Sequence, residues 1–237
     1  MEPKQALPTL TPDETKAVKH LLSLYRQGWF PMHETWEDGK TETRWVQPQS
    51  RGIIPLDADR FHVPGTLRSR VKSGAFEITT DQAFARVIEE CGTPAPGREG
   101  TWLHDEIIEA FLLLHDAGHA HSIEAWKSVK GERMLVGGLY GLALGRIFCG
   151  ESMFSRPLLG GTDASKVCLV HLVHHLRQRE FVLLDSQLTN EHLAQFGCYE
   201  MARADYLAIL AEHCSRDVAW LPFEPEQTRQ ALASAVR

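Results

Sequence analysis

The chain lacks most of the features that would mark a membrane, disulfide-bonded or metal-dependent protein. No apolar run approaches the ~20 residues a transmembrane helix needs. The opening stretch, MEPKQALPTLTPDETK, has no apolar centre of a secretory signal, so a cytoplasmic protein is expected. Cys91, Cys149, Cys168, Cys198 and Cys214 are scattered, odd in number and without a CxxC pair, which predicts reduced thiols rather than disulfides or a zinc ribbon. His115, His119 and His121 lie close together, and His171, His174 and His175 share one predicted helix. Neither HExxH nor a Cys/His quartet accompanies them, so no metal is expected. Neither GxxxxGK[ST] nor GxGxxG occurs, so nucleoside triphosphate and dinucleotide sites are not signalled. Ser152 lies in GESMF, which is not the GxSxG nucleophile elbow.

What is present is an ordinary globular composition. With 43% hydrophobic and 24% charged residues, the 237 residues can bury the core of one large domain or of two small ones. A net charge of −6 argues against a wholly basic nucleic-acid binder, but the charge is unevenly spread. Residues 44–72 hold six bases (Arg44, Arg51, Arg60, Arg68, Arg70, Lys72) against two acids (Asp57, Asp59), so this stretch carries +4 and the remainder −10. Such a patch is either a solvated face or a surface for phosphates, to which Lys and Arg supply the salt-dependent part of affinity.

Apolar spacing predicts an amphipathic helix over 15–27, ended by Gly28 and followed by an aromatic loop, Trp29-Phe30-Pro31-Met32. Residues 33–60 read as short, turn-rich and irregular, which suggests a small N-terminal unit over 1–60 and a second domain over 61–237. In the second part helices and strands alternate. Strands are expected at 76–79, 119–126, 133–140, 144–149, 181–187 and 198–201, and helices at 81–91, 104–117, 163–177, 190–196 and 205–214. Three consecutive strands followed by helical crossovers imply an α+β or mixed α/β class, a mixed sheet with helices packed on it.

Two segments carry candidate chemistry. The glycine-rich run from Val136 to Ser155, VGGLYGLALGRIFCGESMFS, reads as a tight hairpin whose backbone is approached closely from one side. Its single carboxylate, Glu151, is placed where a strand gives way to a loop, between Phe148 and Met153, and an acid in apolar surroundings is a site candidate. In FVLLDSQ, Asp185 and Gln187 stand two apart at the end of a buried strand, on one face of it, where crevices form. A capping Asp and a loop Gln before the next helix is the alternative.

In order along the chain, YRQGWFPM, RWVQPQSRGIIPL, GTW, LHDAGHAHSIEAW, LVGGLYG, IFCGESMFSR, ASK and LLDSQLTNEHL resemble the bacterial leucyl/phenylalanyl-tRNA–protein transferase family from about Tyr25 to Tyr206. The resemblance implies an acetyltransferase-like (GNAT) C-terminal domain behind a small N-terminal one. It also implies transfer of Leu or Phe from aminoacyl-tRNA to the α-amine of proteins beginning with Arg or Lys, marking them for degradation, with no cofactor and no membrane partner. Asp185 and Gln187 match the catalytic pair. Glu151, Leu139, Phe148, Leu172 and Leu184 match the pocket for the transferred amino acid, and Trp45 and Trp102 match the aromatics that hold the terminal adenosine. Arg68, Arg70 and Lys72 fall where the family meets the tRNA acceptor stem. The chain departs from the family at Met32, where Trp is frequent, and in extra residues between Ser155 and Ala164. An acetyl-CoA-dependent acetyltransferase of the same fold and a non-catalytic tRNA- or peptide-binding module are the rival readings.

Overall fold

A computed structural model describes residues 7–35, 41–94, 103–216 and 218–234. Helix α1 (Pro12–Arg26) starts at a reciprocal cap, in which Thr11 accepts from the Glu14 backbone and Glu14 reaches back to Thr11. Its apolar stripe, Val18, Leu22 and Tyr25, is buried. The segment expected to be irregular instead forms strands β1 (Phe30–Thr35) and β2 (Thr41–Val46), paired antiparallel as a two-stranded sheet, and then β3 (Ser50–Ile54). The aromatic loop is likewise corrected, since β1 begins at Phe30. β1 and β2 are polar strands with little apolar alternation to mark them, and β3 is held by pairing with residues 184–185 and 199–202, which local turn composition does not report.

The remaining elements are α2 (Gly65–Lys72), β4 (Glu77–Thr80), α3 (Phe84–Gly92), α4 (Asp105–Asp116), β5 (Ala120–Val129), β6 (Glu132–Leu144), β7 (Ile147–Ser155), α5 (Ala164–Gln178), β8 (Leu183–Asp185), α6 (Glu191–Ala194), β9 (Tyr199–Ala202), α7 (Arg203–His213) and α8 (Pro225–Ser234). Strands β4 to β9, with β3, make a seven-stranded mixed sheet in the order β4-β5-β6-β7-β8-β3-β9. β7 and β8 run parallel and the other described pairs are antiparallel. β3 thus sits inside the large sheet although it lies within the first 60 residues. One apolar cluster joins α1, α3, α4 and α7 to one face of the sheet. A second joins α2, α5 and the segment around Trp220 to the other.

Helix α5 is buried along most of its length, and the glycine-rich run opposite it is the expected hairpin, β6–β7. Its register slips once. Tyr140 faces Ser152 and Gly141 faces Gly150, so Glu151 is an extra residue on β7. Glu151 is therefore at a β-bulge inside a strand, not at a strand end, and a bulge re-aims the side chain it carries. Gly141 is required beside it, because a Cβ there would lie 2.3 Å from the Cys149 carbonyl oxygen and 2.4 Å from the Phe148 ring.

The buried face of α5 also holds two histidines without ordinary partners. His171 Nδ1 and His175 Nε2 are buried with no hydrogen bond among the described residues. Burial, helped by Arg229 for His171 and Arg179 for His175, pushes their pKa values down from 6.5 to about 3 and about 4. His175 also stacks on Phe223 at 4.3 Å, and His121 stacks on Trp220 at 4.3 Å. Both α5 histidines stay neutral in the folded protein but charge in the unfolded chain once the pH falls below 6.5. Acid therefore drives protons onto the unfolded state, and their stabilising contribution falls progressively from about pH 6.5 towards pH 3. We expect the urea midpoint to drop between pH 7 and pH 4, and less steeply in His171→Phe/His175→Phe. An unchanged slope in that variant would place the acid sensitivity elsewhere.

Candidate active site

The site forms where two parallel strands part. β7 pairs with β8 only as far as Cys149 opposite Asp185, and then continues to Ser155 while β8 ends. A cavity of about 250 Å³ opens between them. Ile54, Leu139, Leu169, Leu172, Leu184 and Leu193 form its apolar wall, and Glu151, Ser152, Ser186, Gln187, Asn190 and His192 its polar one. Of the sequence-selected pocket residues, Leu139, Leu172, Leu184 and Glu151 are brought together here. Phe148 does not border the cavity: it is wholly buried in the same apolar cluster as these leucines, opposite Leu184, and stacks on Trp220 at 5.4 Å.

Asp185 and Gln187 differ in what they meet. Asp185 is 0% exposed and its two carboxylate oxygens are fully engaged. Arg51 grips it with both arms, Nε donating to Oδ1 at 3.2 Å and Nη2 to Oδ2. The Tyr206 hydroxyl donates to Oδ2 at 2.8 Å, and the Gln187 backbone N–H donates to Oδ1 at 2.8 Å. Arg51 is 1% exposed, lies between the rings of Phe30 and Tyr206 at 4.6 and 4.5 Å, and donates to the Gly28 carbonyl at 3.1 Å. Burial works against its charge, yet the Asp185 carboxylate more than offsets this and holds the guanidinium above its ordinary pKa. Arg51 is thus a core residue and does not belong to the basic patch.

Gln187 is the residue that faces the cavity. Its φ of +60° is left-handed, an uncommon conformation for a side chain of this size, and the surrounding bonds impose it. Besides the bond to Asp185, the Gly52 N–H donates to the Gln187 carbonyl at 2.9 Å, and Ser186 N–H donates to the Gly52 carbonyl at 2.8 Å. Only glycine fits at position 52, where a Cβ would lie 2.6 Å from the Leu188 backbone. The Gln187 side-chain Nε2 donates to Glu151 Oε1 at 3.2 Å, and the Tyr25 hydroxyl donates to the same oxygen at 3.0 Å. Glu151, not Asp185, therefore orients the Gln187 amide. Its carboxyl group is enclosed by protein except where the residue borders the cavity. Burial raises its pKa to about 8, against the pull of the Tyr25 hydrogen bond and with a further push from Asp185.

Trp45 packs edge-on against Tyr25 with ring centroids 5.9 Å apart, one side chain removed from Glu151. Trp102 lies outside the described residues. Arg68, Arg70 and Lys72 are on α2, with Arg70 3.6 Å from Asp163 and Lys72 exposed. None of the three lines the cavity. Sequence reasoning missed Tyr25, Arg51 and Tyr206. Arg51 gave the one usable signal, a base directly before the apolar stretch Gly52-Ile53-Ile54.

A splayed mixed sheet with an apolar cavity, an amide oriented by a carboxyl group and a carboxyl pKa raised by burial can seat an acyl donor and orient an attacking group. The model of one family, leucyl/phenylalanyl-tRNA protein transferase, matches residues 53–211. The match spans more than half of the chain, which belongs to that family and is an aminoacyltransferase that uses aminoacyl-tRNA and a protein. No helix among the described residues is long and apolar enough to cross a membrane.

Proposed function

We propose that the protein transfers Leu or Phe from aminoacyl-tRNA to the α-amine of proteins beginning with Arg or Lys, marking them for degradation in the cytoplasm. The observation that carries this reading is the cavity: an apolar wall of leucines and an isoleucine faces an amide, Gln187, whose Nε2 is engaged with Glu151 and whose Oε1 has no hydrogen-bond partner among the described residues. A donor side chain unbranched at Cβ enters such a hole, whereas Ile and Val are wide and stiff at Cβ. The donor ester is already activated and an α-amine has a pKa of roughly 7.7–8.0, so orientation supplies much of the rate.

In this reading Gln187 Oε1 accepts a hydrogen bond from the attacking amine and aims its lone pair at the ester carbonyl. Asp185 is a positioning residue that fixes the Gln187 backbone. Trp45 and Trp102 hold the terminal adenosine, and Arg68, Arg70 and Lys72 meet the acceptor stem. The splayed pair β7–β8 supports an acetyltransferase-like arrangement of the large sheet. A coenzyme A pyrophosphate is less well served, since Asp163 places a carboxylate at the N-cap of α5, where a phosphate would want the positive end of the helix.

The test is labelled Leu-tRNA with peptides beginning Arg, Lys or Ala. Label is expected on the first two and not on the third. No transfer by folded protein would overturn the reading.

A further inference from the structure

Aminoacyl transfer moves a proton as well as an acyl group. The amine nitrogen must lose one and the departing ribose oxygen must gain one, because an alkoxide is a poor leaving group near neutral pH. Orientation by Gln187 does neither, since an amide is no useful acid or base. Among the ionisable residues bordering the cavity, Asp185 has both oxygens saturated by Arg51, Tyr206 and the Gln187 backbone. Tyr140 has its hydroxyl buried without a partner among the described residues, and burial raises its pKa well above the ordinary value. His192, on α6, is held towards its neutral form by burial and by Lys166. Glu151 is the remaining group.

Its geometry is specific. Two donors, Tyr25 hydroxyl and Gln187 Nε2, converge on one oxygen, Oε1. Oε2 has no hydrogen-bond partner among the described residues, so a proton on the carboxyl group belongs on Oε2, on a residue that borders the cavity. The bulge that makes Glu151 the extra residue of β7 puts it one amide group away from the position where Gln187 Oε1 would hold the amine.

We propose that Glu151 is a catalytic proton shuttle, giving its Oε2 proton to the ribose oxygen as that bond breaks and taking one from the attacking nitrogen. This rests on the transfer reaction proposed above. The nitrogen–carbon bond forms, the carbon–oxygen bond to ribose breaks, one proton goes from Glu151 to the oxygen, and one returns from nitrogen to Glu151. No co-reactant is consumed. The burial that keeps Glu151 protonated to about pH 8 supplies the acid form in the physiological range.

The experiment compares wild type, Glu151→Gln and His192→Gln with two donors, 3′-O-leucyl-2′-deoxyadenosine and its 2′-fluoro analogue. Neither donor has a 2′-hydroxyl, and the fluorine makes the departing oxygen more acidic. Glu151→Gln keeps the shape and both hydrogen bonds but carries no acidic proton. With the 2′-deoxy donor its kcat is expected to fall by about 10²-fold or more, the usual worth of a general acid, with little change in KM. With the fluoro donor the deficit shrinks, and the fall in wild-type rate above about pH 8 is absent from the variant's pH profile. An equal deficit on both donors would make Glu151 a positioning residue only, and a change confined to KM would assign it to the donor's α-amine. A leaving-group-dependent loss in His192→Gln instead would move the role to His192. A wild type that uses 3′-O-leucyl-adenosine but neither 2′-modified nucleoside would assign the proton to the ribose 2′-hydroxyl. Failure of wild type with Leu-tRNA itself is the separate outcome that overturns the transfer reading.

Discussion

Replacing Arg51 by Met is expected to destabilise the protein by about 3–5 kcal/mol, the usual cost of leaving one member of a buried ion pair without its partner. The Asp185 carboxylate it leaves behind is wholly enclosed, and the Tyr206 hydroxyl and the Gln187 N–H are then its only described donors. The Gly28 carbonyl also loses its donor, and Phe30 and Tyr206 lose the cation held between them. The loss should show as a lower denaturant midpoint at unchanged slope. The paired variant Arg51→Met/Asp185→Leu removes both charges and is expected to recover much of that stability. It should not recover turnover, because the Gln187 backbone N–H has lost the oxygen that places it. A single Arg51→Met with wild-type stability would show that the buried pair contributes nothing, and a fully active double variant would show that Asp185 has no part in positioning.

Gln187→Gly should separate stability from activity. Glycine adopts the +60° φ at position 187 without strain, which offsets roughly 1 kcal/mol against the lost hydrogen bond to Glu151. Folding stability is therefore expected to stay within about 1 kcal/mol of wild type. Turnover is expected to fall by about 10²-fold, the scale of losing one preorganised polar contact to a reacting group. Gln187→Asn tolerates the backbone but falls one methylene short of Glu151, and is expected to be nearly as slow. Single-turnover kinetics with saturating Leu-tRNA measures the effect. If Gln187→Gly turns over at the wild-type rate, the amide does not touch the reacting amine, and the strained backbone needs another explanation.

The parts of this fold that were legible in the sequence are those with a strong apolar pattern. Helices α1, α4 and α5 announce themselves by apolar spacing, and the β6–β7 hairpin by its alternation and glycines. The β1–β2 hairpin, α2 and α8 did not. α2 has few apolar residues, with Leu67 and Val71 buried, and in α8 only Thr228 is buried, so neither carries a strong periodic stripe. The candidate site shows the same division. Asp185 and Gln187 stand at the end of an apolar strand and Glu151 in the glycine-rich run, whereas only the family resemblance points to Leu139, Leu172 and Leu184. Phe148 packs behind the wall those leucines form, opposite Leu184, rather than on the cavity surface.

By itself the sequence determined the class of the chain, its mixed α/β order, its family and the residue types that surround the cavity. Only the tertiary structure decided what each of those residues does. Asp185 and Gln187 share a strand end. Yet Arg51, 134 residues away in sequence, encloses the first, and Glu151, 36 residues away, orients the second. The physical reason is that composition and periodicity report which side chains are apolar or charged, whereas hydrogen-bond partners and burial depend on pairings across the sheet. A one-residue slip between β6 and β7 turned Glu151 from an acid near a loop into a carboxyl group hydrogen-bonded to the Gln187 amide at the cavity.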